Sequence, residues 1–259
     1  MYGSGGIPET LLLDKEGSVA TLTLNRPAVL NCINQPQREA LQAALTDLGN
    51  DPEVRVIVLA GAGRAFCAGQ DQKESATMDE HGASRRIAHY KKLYEIIRGL
   101  RKPVIARMHG YVAGAGLQIA LLCDVRIAAE GTRLGMTELN VGSAAIYGST
   151  ILADLVGVSA MQHLVITSEF IDADRALAIG LVHEVLPTAG IDVRVEALAA
   201  RLASFNPFGI QHTKAWWEAR SEAAFQQSWA EATRVHAANF ATGGLSAGAR
   251  RFIARKQRQ

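Results

Sequence analysis

The chain has 259 residues, 48% of them apolar, and 27 Lys plus Arg against 25 Asp plus Glu leave a formal net charge of +2. This excludes a disordered tail protein and speaks against a sustained polyanion-binding surface. Aromatics at 6% and charged residues at 20% fit an ordinary soluble fold of one or two domains, long enough to bury a sizeable core. In chain order, residues 10–25 read as a hairpin turning at Glu16-Gly17, with Ala20, Leu22 and Leu24 alternating with polar or small neighbours. Pro36 sits near a helix start, and Leu41, Ala44, Leu45 and Leu48 recur at three and four until Asn50-Asp51-Pro52 stops the helix. The β-branched run 54–60 reads as a buried strand. A charged helix over about 84–100 leads to a short buried strand at 103–108, a glycine-rich turn, a helix over about 114–123 and a strand over 124–128. Strands alternating with helices predict an α/β fold with crossover connections. From about Ile191 onward the pattern is helical only, with Gly243-Gly244 breaking it before the last helix.

The longest weakly polar stretch is taken as 111–123, interrupted by Gln118 and short of the roughly twenty apolar residues of a bilayer span. No membrane span is expected. With no Lys or Arg before Lys15, and Glu9 and Asp14 already present, neither a signal peptide nor a transit peptide is expected, and residues 1–6 read as a flexible leader. Cys32, Cys67 and Cys123 are an odd number without a CxxC pair or clustered histidines, which fits a reducing cytoplasm and no zinc site. After Glu231 the chain carries Arg234, Arg250, Arg251, Arg255, Lys256 and Arg258 but no acid. Such a tail is a solvated basic helix face or a site for a phosphate-bearing ligand. Without interleaved aromatics, nucleic acid is the weaker reading.

Two glycine-rich turns follow buried strands, Gly61 to Gly69 and Gly110 to Gly116. Neither has the GxGxxG spacing running straight into a helix, so a nicotinamide-binding site is a poor reading. Tight turns alone explain much of the glycine. They do not explain two such turns in one chain, the second opening an apolar helix. Glycine and alanine let a ligand approach the backbone, and two free N–H groups would make an oxyanion hole.

The succession Asn25-Arg26-Pro27, Phe66-Cys67-Ala68-Gly69-Gln70-Asp71, His109-Gly110-Tyr111 with Gly114-Ala115-Gly116, Cys123-Asp124, and Leu134-Gly135 followed by Glu138 resembles the crotonase superfamily, the enoyl-CoA hydratase/isomerase family, from about Thr10 to Lys256. The resemblance implies an α/β spiral of ββα units over residues 1–190, carrying the coenzyme A and catalytic site. It also implies a C-terminal helical trimerisation region over 191–259, in homotrimers or dimers of trimers. The N–H groups of Ala68 and Ala115 become the oxyanion hole. Arg26, Leu30, Phe66, Gly69, Gln70, Asp71, Gln72, Gly114 and Tyr147 fall at coenzyme A or substrate positions, and Phe252 and Arg255 at positions that reach coenzyme A on a neighbouring subunit. No cofactor is implied beyond coenzyme A as part of the substrate, and no metal.

The acid–base positions depart from the hydratase pattern of two glutamates that hold a water. The first is Gln118 and the second Glu138, so one titratable carboxyl remains. Glu138 is either the base or a solvated loop carboxylate, the first being preferred. Gln118 is either a satisfied helix amide or a group that orients water or substrate. Where hydratases have Pro-Gly-Ala-Gly-Gly, this chain has Ala145-Ile146-Tyr147-Gly148-Ser149, adding bulk beside the catalytic position; Tyr147 is a donor to substrate or part of the pocket wall. His109 and Cys67 read as structural. The preferred expectation is an enolate-stabilising enzyme of acyl-CoA and lipid metabolism, first an enoyl-CoA isomerase shuttling one proton from C2 to C4, and second an enoyl-CoA hydratase. A decarboxylase or hydrolase, or a non-catalytic RNA-binding member, are further alternatives.

Overall fold

The computed structural model describes residues 8–78 and 80–256, the side chains of 80, 245 and 256 excepted. The hairpin is present as β1 (Leu11–Glu16) and β2 (Val19–Leu24), paired Leu11 to Leu24 through Glu16 to Val19. Helix α1 (Gln35–Asn50) has Pro36 in its first turn, where a missing N–H costs nothing, and the Asn34 side chain caps it by accepting the Gln37 N–H at 3.2 Å.

Strand β3 (Val56–Gly61) is buried throughout. It is an inner strand of a six-stranded sheet ordered β1-β2-β3-β4-β6-β9, in which β4 is Val104–Met108, β6 Val125–Ala129 and β9 Glu184–Leu186, and every pair but the first is parallel. A parallel strand covered on both faces needs apolar residues at every position, which accounts for its unbroken run. Ile57 and Leu59 enter the main core, while Val56 and Val58 meet Ile191, Val195 and Ala199 of α7 (Ile191–Ala203).

The ββα units send their first strands, β4 and β6, to the large sheet. Their second strands, β5 (Tyr111–Ala113) and β7 (Arg133–Gly135), join β8 (Ile171–Asp172) in a three-stranded sheet. Between them run α2 (Gln72–Thr77), α3 (Glu80–Gly99), α4 (Ala115–Leu121), α5 (Ile146–Thr167) and α6 (Ala173–Ala178). The C-terminal segment adds α8 (Pro207–Ala241) and, after Gly243 (φ 70°), α9 (Gly244–Lys256). Asp124 of the Cys-Asp motif accepts the Val104 N–H at 2.7 Å and the Lys214 ammonium, tying α8 to the sheet.

The sequence reading missed α2 and took β5 as part of a turn, because three residues are too few to show alternation. It also misjudged the longest apolar stretch. Helix α5 has 22 residues, with a mean hydropathy of 1.4 over an 18-residue window, and is long and apolar enough to cross a membrane by length and composition. Gly157 (φ 78°, ψ 162°) divides it into two segments, each well short of the roughly twenty residues of a span.

Candidate active site

The two glycine-rich turns are stitched together. The Cys67 N–H donates to the Tyr111 carbonyl at 3.1 Å and the Ala113 N–H to the Cys67 carbonyl at 2.9 Å, making a parallel bridge between Cys67 and Val112. Glycine is required at the seam. A side chain at Gly116 would come within 2.7 Å of the Cys67 sulfur, and one at Gly69 (φ 96°) within 2.8 Å of the Ala113 carbonyl.

Ala68 and Ala115 thereby line one cavity, together with Gln118 and Glu138, with about 170 Å3 of open volume. That is room for several waters or part of an acyl chain. The Ala115 N–H, in the first turn of α4, has no acceptor among the described residues. The Ala68 N–H is engaged, donating to the Leu30 carbonyl at 2.9 Å. Leu30 and Asn31 both hold left-handed backbone (φ 52° and 56°), and this aims that carbonyl. The expected hole of two free donors is corrected to one free donor and one already occupied.

Glu138 opens a short 3-10 turn, Glu138–Val141, after β7. Its Oε1 accepts the Gln118 Nε2 amide at 2.7 Å, and the Gln118 Oε1 accepts the Tyr94 hydroxyl at 3.2 Å. The other carboxyl oxygen, Oε2, is buried without a hydrogen-bond partner among the described residues. Burial pushes the Glu138 pKa up to about 7, against smaller opposing effects of its own backbone N–H and the Gln118 amide. A carboxyl half-ionised near neutrality can both accept and return a proton. This chain thus has a buried titratable carboxyl, an amide that aims it, and a free backbone donor in one cavity.

The bulk of residues 145–149 goes into a wall. Tyr147, 7% exposed, stacks on Trp229 with ring centroids 5.2 Å apart and contacts Tyr94 at 5.4 Å and Phe225 at 5.4 Å. Burial holds its hydroxyl well above the ordinary tyrosine range. His109 bonds the Gly63 carbonyl at 2.9 Å. The Cys67 thiol, fully buried and facing the Asn31 carbonyl at 3.2 Å, is pushed up to about 12, so it carries no thiolate at neutral pH.

Gly69, Gln70, Gln72, Gly114 and Phe252 line the cavity as expected. Phe252 does so in its own chain. Phe66 is a core residue with no exposed surface and cannot touch a ligand. Arg26 and Asp71 hold each other at 3.0 Å, and Leu30 contributes through its carbonyl; none of these three lines the cavity. Arg255 is exposed on α9. The sequence reading did not single out Ser75, Arg86, Tyr90 and Tyr94, which also line it. Their signal was available in the spacing of Arg86, Tyr90 and Tyr94, one step of four residues apart on a single helix face. Among the described residues, no group of three or more His, Cys, Asp or Glu is placed to hold a metal ion.

Residues 14–259 match the family described as enoyl-CoA hydratase/isomerase. The short-chain-enoyl-CoA hydratase of Clostridium acetobutylicum is 34% identical over 206 residues, 79% of each chain. The crotonyl-CoA hydratase of Syntrophomonas wolfei is 32% identical over 209 residues, 80% of each. The crystal structure of an enoyl-CoA hydratase/isomerase from Mycobacterium paratuberculosis superposes with a TM-score of 0.87 at 25% identity, covering 95% of this chain and 99% of that one. The chain belongs to the enoyl-CoA hydratase/isomerase family.

Proposed function

We propose that the protein is an enoyl-CoA hydratase, adding water across the double bond of 2-enoyl-CoA thioesters with Glu138 as its acid–base group. The observation that carries this reading is the buried Glu138 carboxyl, with its pKa near 7 and its unpartnered Oε2 in the cavity that holds the free Ala115 N–H. Water bonds to C3 as its proton passes to Glu138. The electron pair moves onto the thioester oxygen, where the Ala115 N–H stabilises the enolate, and Glu138 then returns the proton to C2. The hydratase names of the relatives support placing hydration ahead of isomerisation, reversing the order taken from the single carboxyl.

Isomerisation is the second reading. It is favoured by Gln118, whose amide donates straight to Glu138 at the position where a second carboxylate would hold water. Ultraviolet absorbance separates the two, since hydration removes the conjugation of a 2-enoyl thioester and isomerisation of a 3-enoyl thioester creates it. Hydration is expected to be the faster on matched chain lengths, and the opposite ratio would make the isomerase the better reading.

Gln118→Glu would set two carboxyls in direct contact where the amide now sits 2.7 Å from Glu138. Both cannot ionise together, so the acidic limb of the pH–rate profile is expected to move upward by at least about one pH unit. An unmoved limb would separate Gln118 from the acid–base group.

The reading includes a cytoplasmic enzyme that meets coenzyme A only as part of its substrate and assembles as a trimer or dimer of trimers. The exposed apolar side chains Leu155, Val158 and Ile166 on α5 support self-association. Light scattering is expected to give the mass of three or six chains, and a monomer would refute the assembly.

A further inference from the structure

Helix α3 lays Arg86, Tyr90 and Tyr94 along the cavity wall. Tyr94 reaches Gln118 beside the Glu138 carboxyl. Arg86 is eight residues nearer the helix start, about 12 Å along the axis at 1.5 Å per residue. It therefore stands at the end of the cavity away from the acid–base group.

Arg86 is 6% exposed, and its guanidinium makes one hydrogen bond among the described residues, to Ser75 Oγ at 2.9 Å. Of its five N–H donors one is used, and none of its nitrogens is both buried and without a partner, so the spare donors face open space in the cavity that Arg86 lines. The neighbouring acid acts on the guanidinium only through space and makes no direct bond to it. Glu74 is gripped by Arg38 through both oxygens, at 2.7 and 3.0 Å, and by the Gln70 amide at 2.6 Å, while Tyr90 donates to Gln70 at 2.6 Å. Two guanidiniums, Arg38 and Arg86, thus face one carboxylate. His236 of α8 lines the same cavity with its Nδ1 buried and unpartnered among the described residues. Burial and the Arg86 charge hold its pKa down to about 4, so it is a neutral imidazole at physiological pH. Around these polar groups the lining is apolar or aromatic, including Ile87, Ala232 and Phe252.

A saturated acyl tail would leave this cation uncompensated, and a hydroxyl or carbonyl would leave its charge unopposed. Resting on the acyl-CoA reading above, we propose that this end of the cavity is a carboxylate subsite, and that the preferred substrates are coenzyme A thioesters of unsaturated dicarboxylic acids. Arg86 takes the second carboxylate with its fork of N–H donors, and the Nδ1–H tautomer of His236 is placed to add a donor.

The test is calorimetric binding of saturated, unreactive thioesters in matched pairs, dicarboxylic against monocarboxylic, from four to ten carbons. Both members carry the same coenzyme A, so its phosphates cancel in the ratio. In wild-type protein the dicarboxylic partner is expected to bind at least tenfold more tightly at one or more lengths. Arg86→Met should abolish that ratio and Arg86→Lys should retain part of it, with thermal unfolding reporting the fold of each variant. Equal or weaker binding of the dicarboxylic partner at every length overturns the proposal, and that comparison needs no variant. So does a preference that survives Arg86→Met. Binding without preference defeats the subsite alone, whereas failure of both series to bind defeats the acyl-CoA reading with it.

Discussion

Glu138→Gln is expected to lower kcat for hydration at least 100-fold, within the roughly 10²–10⁴-fold range of a general acid–base group, while thioester affinity changes little. The substitution keeps shape and removes the one carboxyl that lines the cavity among the described residues, one of whose oxygens is already bonded to Gln118. In wild-type protein the same group predicts an acidic limb: its pKa near 7 means that kcat/KM should fall about tenfold per pH unit below that value, because the base must be ionised. A flat profile between about pH 5.5 and 8 would remove Glu138 from the chemistry.

The group has a matching signature in stability. Its folded pKa of about 7 lies above the ordinary 4.5, so between those values the folded state holds a proton that the unfolded state has lost. This contribution is fully favourable below about pH 4.5, and stability falls as pH rises through 7. Glu138→Gln carries no charge and escapes the penalty. It should therefore be more stable than wild type at about pH 8, by up to about 3 kcal/mol, since each pH unit between the two pKa values contributes about 1.4 kcal/mol. Denaturant melts at about pH 8 and about pH 4.5 should show that gap wide at the higher pH and nearly closed at the lower. An unchanged gap would mean that the carboxyl is not buried in solution.

Ala115→Pro is expected to lower kcat by about 10²–10³-fold, the usual cost of losing one oxyanion donor. Ala115 is the first residue of α4, the helical position that best tolerates proline, since its N–H has no intrahelical acceptor. The change therefore removes the free donor with little other disturbance. The Ala68 N–H is held by the Leu30 carbonyl and is not free to compensate. A variant that folds with wild-type melting behaviour and keeps wild-type kcat would show that the thioester oxygen lies elsewhere. It would also restore interest in Ala68 as a donor released on binding.

Much of the architecture was legible because it rests on local rules. Alternation in β2, the three-and-four spacing of α1 with Pro36 at its start, and the β-branched run of β3 follow from side-chain periodicity and backbone geometry, which neighbouring residues impose on one another. Glu138 and Ala115 were legible through motif order. What sequence could not give was which groups are already satisfied. Nothing in the string says that the Leu30 carbonyl, 38 positions before Ala68, takes its N–H, or that Gln118 spends its amide on Glu138. Four-residue spacing sets Arg86 on one helix face with Tyr90 and Tyr94, but it does not say whether that face is buried. Burial is a property of several packed elements at once, here α3 with Ser75 of α2 and His236 of α8 around one cavity. Hydrogen-bond satisfaction and the pKa of a buried carboxyl depend on distances between residues far apart in the chain. Only the tertiary structure sets those distances, and with them which polar groups remain free for chemistry.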